Sequence, residues 1–207
     1  MQFDDLIVGF DRALRTLVAG STSVRPYPAE DLESAEMAAA DKTHAAGLMR
    51  VNHSGEICAQ ALYAGQAMTS SNTALRRQLD QAAREETEHL AWTERRLDEL
   101  GAGTSLLNPL WYAGSFAMGA VAGLAGDRWN LAFLSETERQ VEQHLNGHLD
   151  ALPQGDVRSR AIVSQMRTDE AGHAQMAEDQ GAARMPLPIR AAMRMTAKLM
   201  TTAAYRV

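Results

Sequence analysis

Two short runs, REETEHL and DEAGHA, each place a glutamate three residues before a histidine: Glu86 with His89, and Glu170 with His173. On a helix, positions i and i+3 share a face, so each pair can offer a carboxylate and an imidazole to one cation. A single pair is a weak signal, because acids and histidines also decorate solvated faces. The face decides. Leu75, Leu79, Ala82, Thr93 and Leu97 share the stripe of Glu86 and His89, whereas Glu85, Glu88, Glu94 and Asp98 lie largely off it. Val163, Met166, Ala177 and Gly181 do the same for Glu170 and His173. Both pairs therefore point into a core, where a carboxylate is costly unless it is paired or bound to metal.

Two further helices should then each supply one inward carboxylate. Glu56 shares a stripe with Ala45, Met49, Asn52, Tyr63 and Ala67, and Glu138 shares one with Leu131, Leu134, Val141, Leu145 and Leu149. The spacings form a set. Glu56 to Glu86 is 30 residues and Glu138 to Glu170 is 32, while Glu86 to Glu170 and His89 to His173 are both 84. The chain thus repeats a two-helix unit that gives Glu, then Glu-x-x-His. One Glu from each of two helices, with Glu-x-x-His from the other two, is the ligand plan of ferritin-like di-iron and di-manganese bundles. Four carboxylates neutralise two divalent ions, and carboxylate and imidazole donors without thiolate suit iron or manganese. The competing reading is a chance set of charged positions on solvated helices. The repeat also ranks His53 and Cys58, which sit beside Glu56 in MRVNHSGEICAQALYAGQ. Their counterparts in the second unit are Ser135 and Gln140. His53 is therefore expected beside the site or at the surface, and Cys58 as a small packing residue.

The elements that must position these residues are helices. Ala is abundant, aromatics make up 5% of 207 residues, and apolar positions recur at three and four without sustained alternation. The pattern predicts a short amphipathic helix over 1–18, a loop carrying Pro26 and Pro28, and helices over roughly 34–70, 73–100, 128–152, 156–182 and 188–204. The expected fold is all-α: a four-helix bundle with additional membrane-facing helices. An N-terminal helix and loop occupy 1–34, and the metal-binding domain 35–207.

Composition removes several functions. A net charge of −6 argues against general nucleic-acid binding, and one cysteine can form neither an internal disulfide nor a thiolate zinc site. The N-terminal residues have no basic-then-apolar export layout. Leu100 to Gly126 holds 27 residues without a charge. That length could span a bilayer, but Asn108, Pro109 and the five glycines from Gly101 to Gly123 make a weak span. A buried helix with a small-residue packing face is one alternative, and a surface dipping into lipid is another. After Asp179 there is no acid, and Arg190, Arg194 and Lys198, spaced by four, form one basic stripe, with Ile189, Met193, Thr196, Met200 and Ala203 towards another. Together the two segments favour contact with an anionic lipid surface.

The stretches MRVNHSGEICAQALYAGQ, EETEHL, ETERQVEQHLNGHL, DEAGHA and MRMTAKLMTTAAYRV resemble the demethoxyubiquinone hydroxylase family over about 40–207. The resemblance implies a peripheral protein on the cytoplasmic face of a bacterial inner membrane. It implies hydroxylation of the ring of 2-polyprenyl-3-methyl-6-methoxy-1,4-benzoquinol by two iron ions, O2 and a reductant such as NADH, with a ubiquinone-biosynthesis complex as partner. It carries metal ligation onto Glu56, Glu86, His89, Glu138, Glu170 and His173, with Glu86 and Glu170 bridging. His144 becomes a residue beside the ligands or facing substrate, and Tyr63 lies near the site. Where the family commonly reads RVDHAGE this chain reads RVNHSGE, so Asn52 stands on the site stripe without a charge. Two rivals remain from other classes: a ferritin- or rubrerythrin-like protein handling iron or peroxide, and a membrane-bound scaffold with a residual metal site.

Overall fold

The computed structural model describes residues 3–18, 20–33 and 36–207. Among them are seven helices: α1 (Phe3–Val18), α2 (Ala39–Thr69), α3 (Thr73–Glu99), α4 (Asn108–Leu124), α5 (Asp127–Ala151), α6 (Val157–Asp179) and α7 (Leu187–Ala204). Their ends follow local chemistry. Asn72 stops α2 from running into α3, and its side chain accepts from the backbone N–H groups of Ala74 and Leu75. Gly101, at φ +66, turns the chain after α3, and Gly126, at φ +92, separates α4 from α5. Asp156 caps α6 by accepting from Ser159 N.

Helices α2, α3, α5 and α6 form the bundle, with α2 packed against α3 and α5 against α6. The two pairs are the repeated unit. Two of the apolar clusters line the bundle interior. One gathers Met49, Trp92, Leu97, Leu145, Leu152, Ile162, Val163 and Met166. The other gathers Ala59, Tyr63, Ala67, Leu75, Leu79, Ala82, Leu131, Leu134 and Ala177. On every bundle helix the polar positions (56; 86 and 89; 138; 170 and 173) fall between residues of the first cluster and residues of the second. The layer of acids is therefore closed above and below by hydrocarbon.

α4 connects the two halves by running alongside α2. Their backbones touch because side chains are missing: Gly65 lies on Phe116 O, with Ala120 N 2.7 Å from where its Cβ would be, and Gly119 lies on Leu62 O. This is the small-residue packing face of the sequence reading. The opposite side of α4 carries exposed Leu110, Val121 and Leu124. At 17 residues, about 25 Å, α4 does not span a bilayer, and among the described residues no helix is long and apolar enough to cross one. A Gly119→Ala change should push α4 off α2 and cost about 1–3 kcal/mol, read as a lowered midpoint in urea.

α7 departs in detail from the even stripe that its spacing predicts. Arg190 is tied to Glu136 of α5 at 2.8 Å, so among the described residues the unpaired positive charges of the stripe are Arg194 and Lys198. Met193 and Met200 are half-buried, while Met195 and Leu199 are exposed. α1 lies over α2 and α4, with Ala13 and Leu17 packed on Ile57, Ala61, Leu90 and Tyr112.

Candidate metal centre

The six residues converge. Glu56, Glu86, His89 and Glu170 form one group, and Glu138, Glu170 and His173 another, with the donor atoms of each group within 4.8 Å of one another. All six are buried. The geometry separates shared from terminal donors. His89 Nδ1 is 3.0 Å from Glu86, 3.3 Å from Glu170 and 3.8 Å from Glu56. His173 Nδ1 is 3.3 Å from Glu170 and 3.5 Å from Glu86. Glu86 and Glu170 thus reach both histidines, Glu56 sits at the His89 end, and Glu138 groups with Glu170 and His173 at the other.

Without a cation the cluster must hold protons. Burial, and then the neighbouring Glu86, push the Glu56 carboxyl well above its ordinary range. Burial and Glu170 do the same to Glu138. Burial alone would lower both histidines. His89 is nonetheless raised by its bonds to Asp169, Glu170, Glu56 and Glu86, and His173 rises to about 11 through Glu170 and the charges of Glu86 and Glu138. Glu170 takes the remaining charge: burial would raise it, but bonds from His173 and His89 hold it far below the carboxylate range. Protons thus occupy positions that cations would take, and loading with metal must displace them, so affinity falls as pH falls. Four oxygen donors and two imidazoles around two adjacent points, closed off by hydrocarbon, fit a pair of divalent ions of the iron type.

The histidines are oriented from behind. His89 Nε2 meets Asp169 at 3.0 Å, and His173 Nε2 meets Glu85 at 2.6 Å. A carboxylate at Nε2 keeps the proton there and turns the Nδ1 lone pair inward. Each acid immediately precedes the Glu of the opposite Glu-x-x-His motif. The repeat is therefore acid-Glu-x-x-His, written EETEH and DEAGH, with Glu85 and Asp169 again 84 apart. Face assignment alone missed this pair, because a residue one before a core position points sideways, towards the next helix.

The other expected residues fall as follows. Tyr63 donates to Glu138 and lies 3.4 Å from Glu86, which fixes a carboxylate oxygen; Tyr63→Phe should weaken iron affinity about 10–100-fold in chelator competition. Asn52 is buried one turn before Glu56, with Nδ2 on Met49 Sδ at 3.8 Å and, among the described residues, no protein partner for Oδ1. Among the described residues His144 Nε2 bonds none of the six. Its ring packs on His148 at 3.9 Å, and burial with nearby Lys198 lowers it to about 4. His53 is buried against Asn108 of α4, not at the surface. Burial raises the Cys58 thiol to about 11, which leaves it inert.

The sequence model of the family described as ubiquinone biosynthesis protein COQ7 matches residues 43–204. Relatives named 3-demethoxyubiquinol 3-hydroxylase are similar end to end. The protein of Nitrosomonas eutropha is 60% identical over 207 residues, 100% of both chains. That of Dechloromonas aromatica is 61% identical over 206 residues, also 100% of both. That of Chromobacterium violaceum is 60% identical over 204 residues, 99% of both.

Proposed function

This chain belongs to the COQ7 family of ubiquinone biosynthesis proteins, and on that premise we infer that it is a 3-demethoxyubiquinol 3-hydroxylase working with two iron ions held by its buried acids. The observation that carries the reading is the one carboxylate, Glu170, common to both donor groups. Glu56 and His89 would hold one iron and Glu138 and His173 the other, with Glu86 and Glu170, which reach both histidines, available to either. When bound, the irons supply the redox chemistry by which O2, with electrons from a reductant, delivers one oxygen atom to the quinol ring.

The chain supplies what surrounds that chemistry. Glu85 and Asp169 hold the imidazoles in register, Tyr63 holds Glu138, and the two apolar clusters keep water from the acids. His144, whose Nε2 is buried and has no protein partner among the described residues, is the polar group offered to the ring, and Asn52 completes the Glu56 stripe. The domain of 35–207 contains all six ligands.

A polyprenyl substrate resides in lipid, so the protein docks at the membrane as a peripheral protein on the cytoplasmic face of the bacterial inner membrane. Supporting this are the exposed Phe10 and Leu14 of α1, Leu110, Val121 and Leu124 of α4, and Met195 and Leu199 of α7, with Arg194 and Lys198 free for anionic headgroups. Partner proteins of ubiquinone biosynthesis would share that surface. The test is the quinone profile of a strain lacking this protein. Accumulated demethoxyubiquinone is expected; normal ubiquinone, with no redundant enzyme present, would refute the reading.

A further inference from the structure

The two halves of the site repeat in ligands and in the acids behind the histidines, yet they differ in one respect that the repeat does not explain. Glu85, behind His173, is 37% exposed, and among the described residues its one ion-pair partner is that histidine. Asp169, behind His89, is 17% exposed and paired a second time, with Arg25 Nη1 at 2.8 Å. Its other oxygen accepts from Gln165 Nε2 at 2.9 Å, so both oxygens of the carboxylate are engaged.

Arg25 comes from the segment 20–33, outside the residues that the family model matches. That segment is fastened over α3 at several points. Glu88 accepts from Val24 N, Arg25 N and Ser23 Oγ. Trp92 Nε1 donates to Ser23 Oγ at 3.1 Å. The Arg25 guanidinium lies 4.8 Å above the Trp92 ring, and that ring packs on His89 at 5.3 Å. Glu88, which its helical position assigns to a solvated face, is buried by this strap.

A histidine ligand donates more electron density when the acceptor at its other nitrogen is more basic. An arginine bonded to that acceptor lowers its basicity, and the guanidinium cannot give up its charge. We propose that Arg25 is a positioning and tuning residue for the metal centre: through Asp169 it weakens the pull on His89 and makes the two iron positions inequivalent, the His89 iron being the harder to oxidise. The proposal rests on the reading that the six buried residues hold two irons. It assigns to the N-terminal strap a part in the redox asymmetry of the centre, beyond covering α3.

The test compares wild type, Arg25→Met and Arg25→Lys as purified full-length protein. Iron per chain is counted, the two one-electron midpoint potentials are measured, and the Mössbauer spectrum of the ferrous state is recorded. Two irons per chain are expected in all three. In Arg25→Met one potential should fall while the other stays, and the ferrous quadrupole doublets should draw together. Arg25→Lys, which keeps a charge but loses the planar fork, should lie between. Thermal unfolding and proteolysis of the strap run in parallel. Two irons in Arg25→Met with potentials and spectra unchanged would overturn the proposal, whatever the thermal midpoint does, because a merely structural strap moves only the latter. Fewer than two irons in wild type would instead bring down the underlying ligand assignment and the proposal with it.

Discussion

Replacing Glu170 by Ala is expected to strip both irons from the protein and abolish hydroxylation. Glu170 is the one carboxylate common to the two donor groups, with one oxygen 3.3 Å from His89 Nδ1 and the other 3.3 Å from His173 Nδ1. Loss of Glu56 or Glu138 removes a donor from one end only. Loss of Glu170 removes one from each end and also the charge that both cations share. The helices should survive, because the apolar clusters on either side of the acid layer do not depend on it. Circular dichroism should therefore be unchanged while metal analysis falls below one iron per chain. A Glu170→Ala protein that keeps two irons and full activity would show the site to be misassigned.

Replacing Arg96 by Ala should have the largest effect on stability, about 3–5 kcal/mol. The Arg96 side chain is 2% exposed and spans α3 to α6: Nη2 meets Asp156 at 2.8 Å, Nε meets Ser159 Oγ at 2.9 Å and Nη1 meets Glu99 at 2.8 Å. Asp156 is fully buried, and among the described residues its other oxygen has no protein partner. Without the guanidinium, Asp156 becomes an uncompensated buried charge at the cap of the helix that carries Glu170 and His173. The double variant Arg96→Ala, Asp156→Ala should be less destabilised than the sum of its parts, because the stranded charge is gone. Urea unfolding of the four proteins measures this; a loss under 1 kcal/mol for Arg96→Ala would refute the account of this pair.

How much of this was legible beforehand depends on how far each interaction reaches along the chain. The six acids and histidines lie on 3.6-residue stripes, and the near-equal repeat of 82 to 84 residues ties them together, so periodicity reached the convergence of these six side chains. The breaks near Asn72 and Gly101 were legible for a similar reason, since each acts on its immediate neighbours, whereas α2 begins at Ala39 and not near 34. Glu85 and Asp169 were not found, although both are adjacent to motif residues, because their partners lie on another helix and flanking positions look solvated. Glu88 and Arg190 were misjudged as free surface charges, since the strap and α5 that cover them are separated from them by more than fifty residues. The uncharged stretch after Leu100 left three readings open. Gly119 and Gly123 proved to be close contact with α2 and the other face of α4 exposed hydrocarbon, a division that depends on which way the helix turns.

The most direct test of the central claim is turnover of demethoxyubiquinol by the purified, iron-loaded protein under isotopically heavy O2, with the product analysed by mass. The account expects a hydroxylated quinol carrying one heavy oxygen, formed by wild type and absent with Glu170→Ala. Product without heavy oxygen, or equal labelled product from the two proteins, would contradict it.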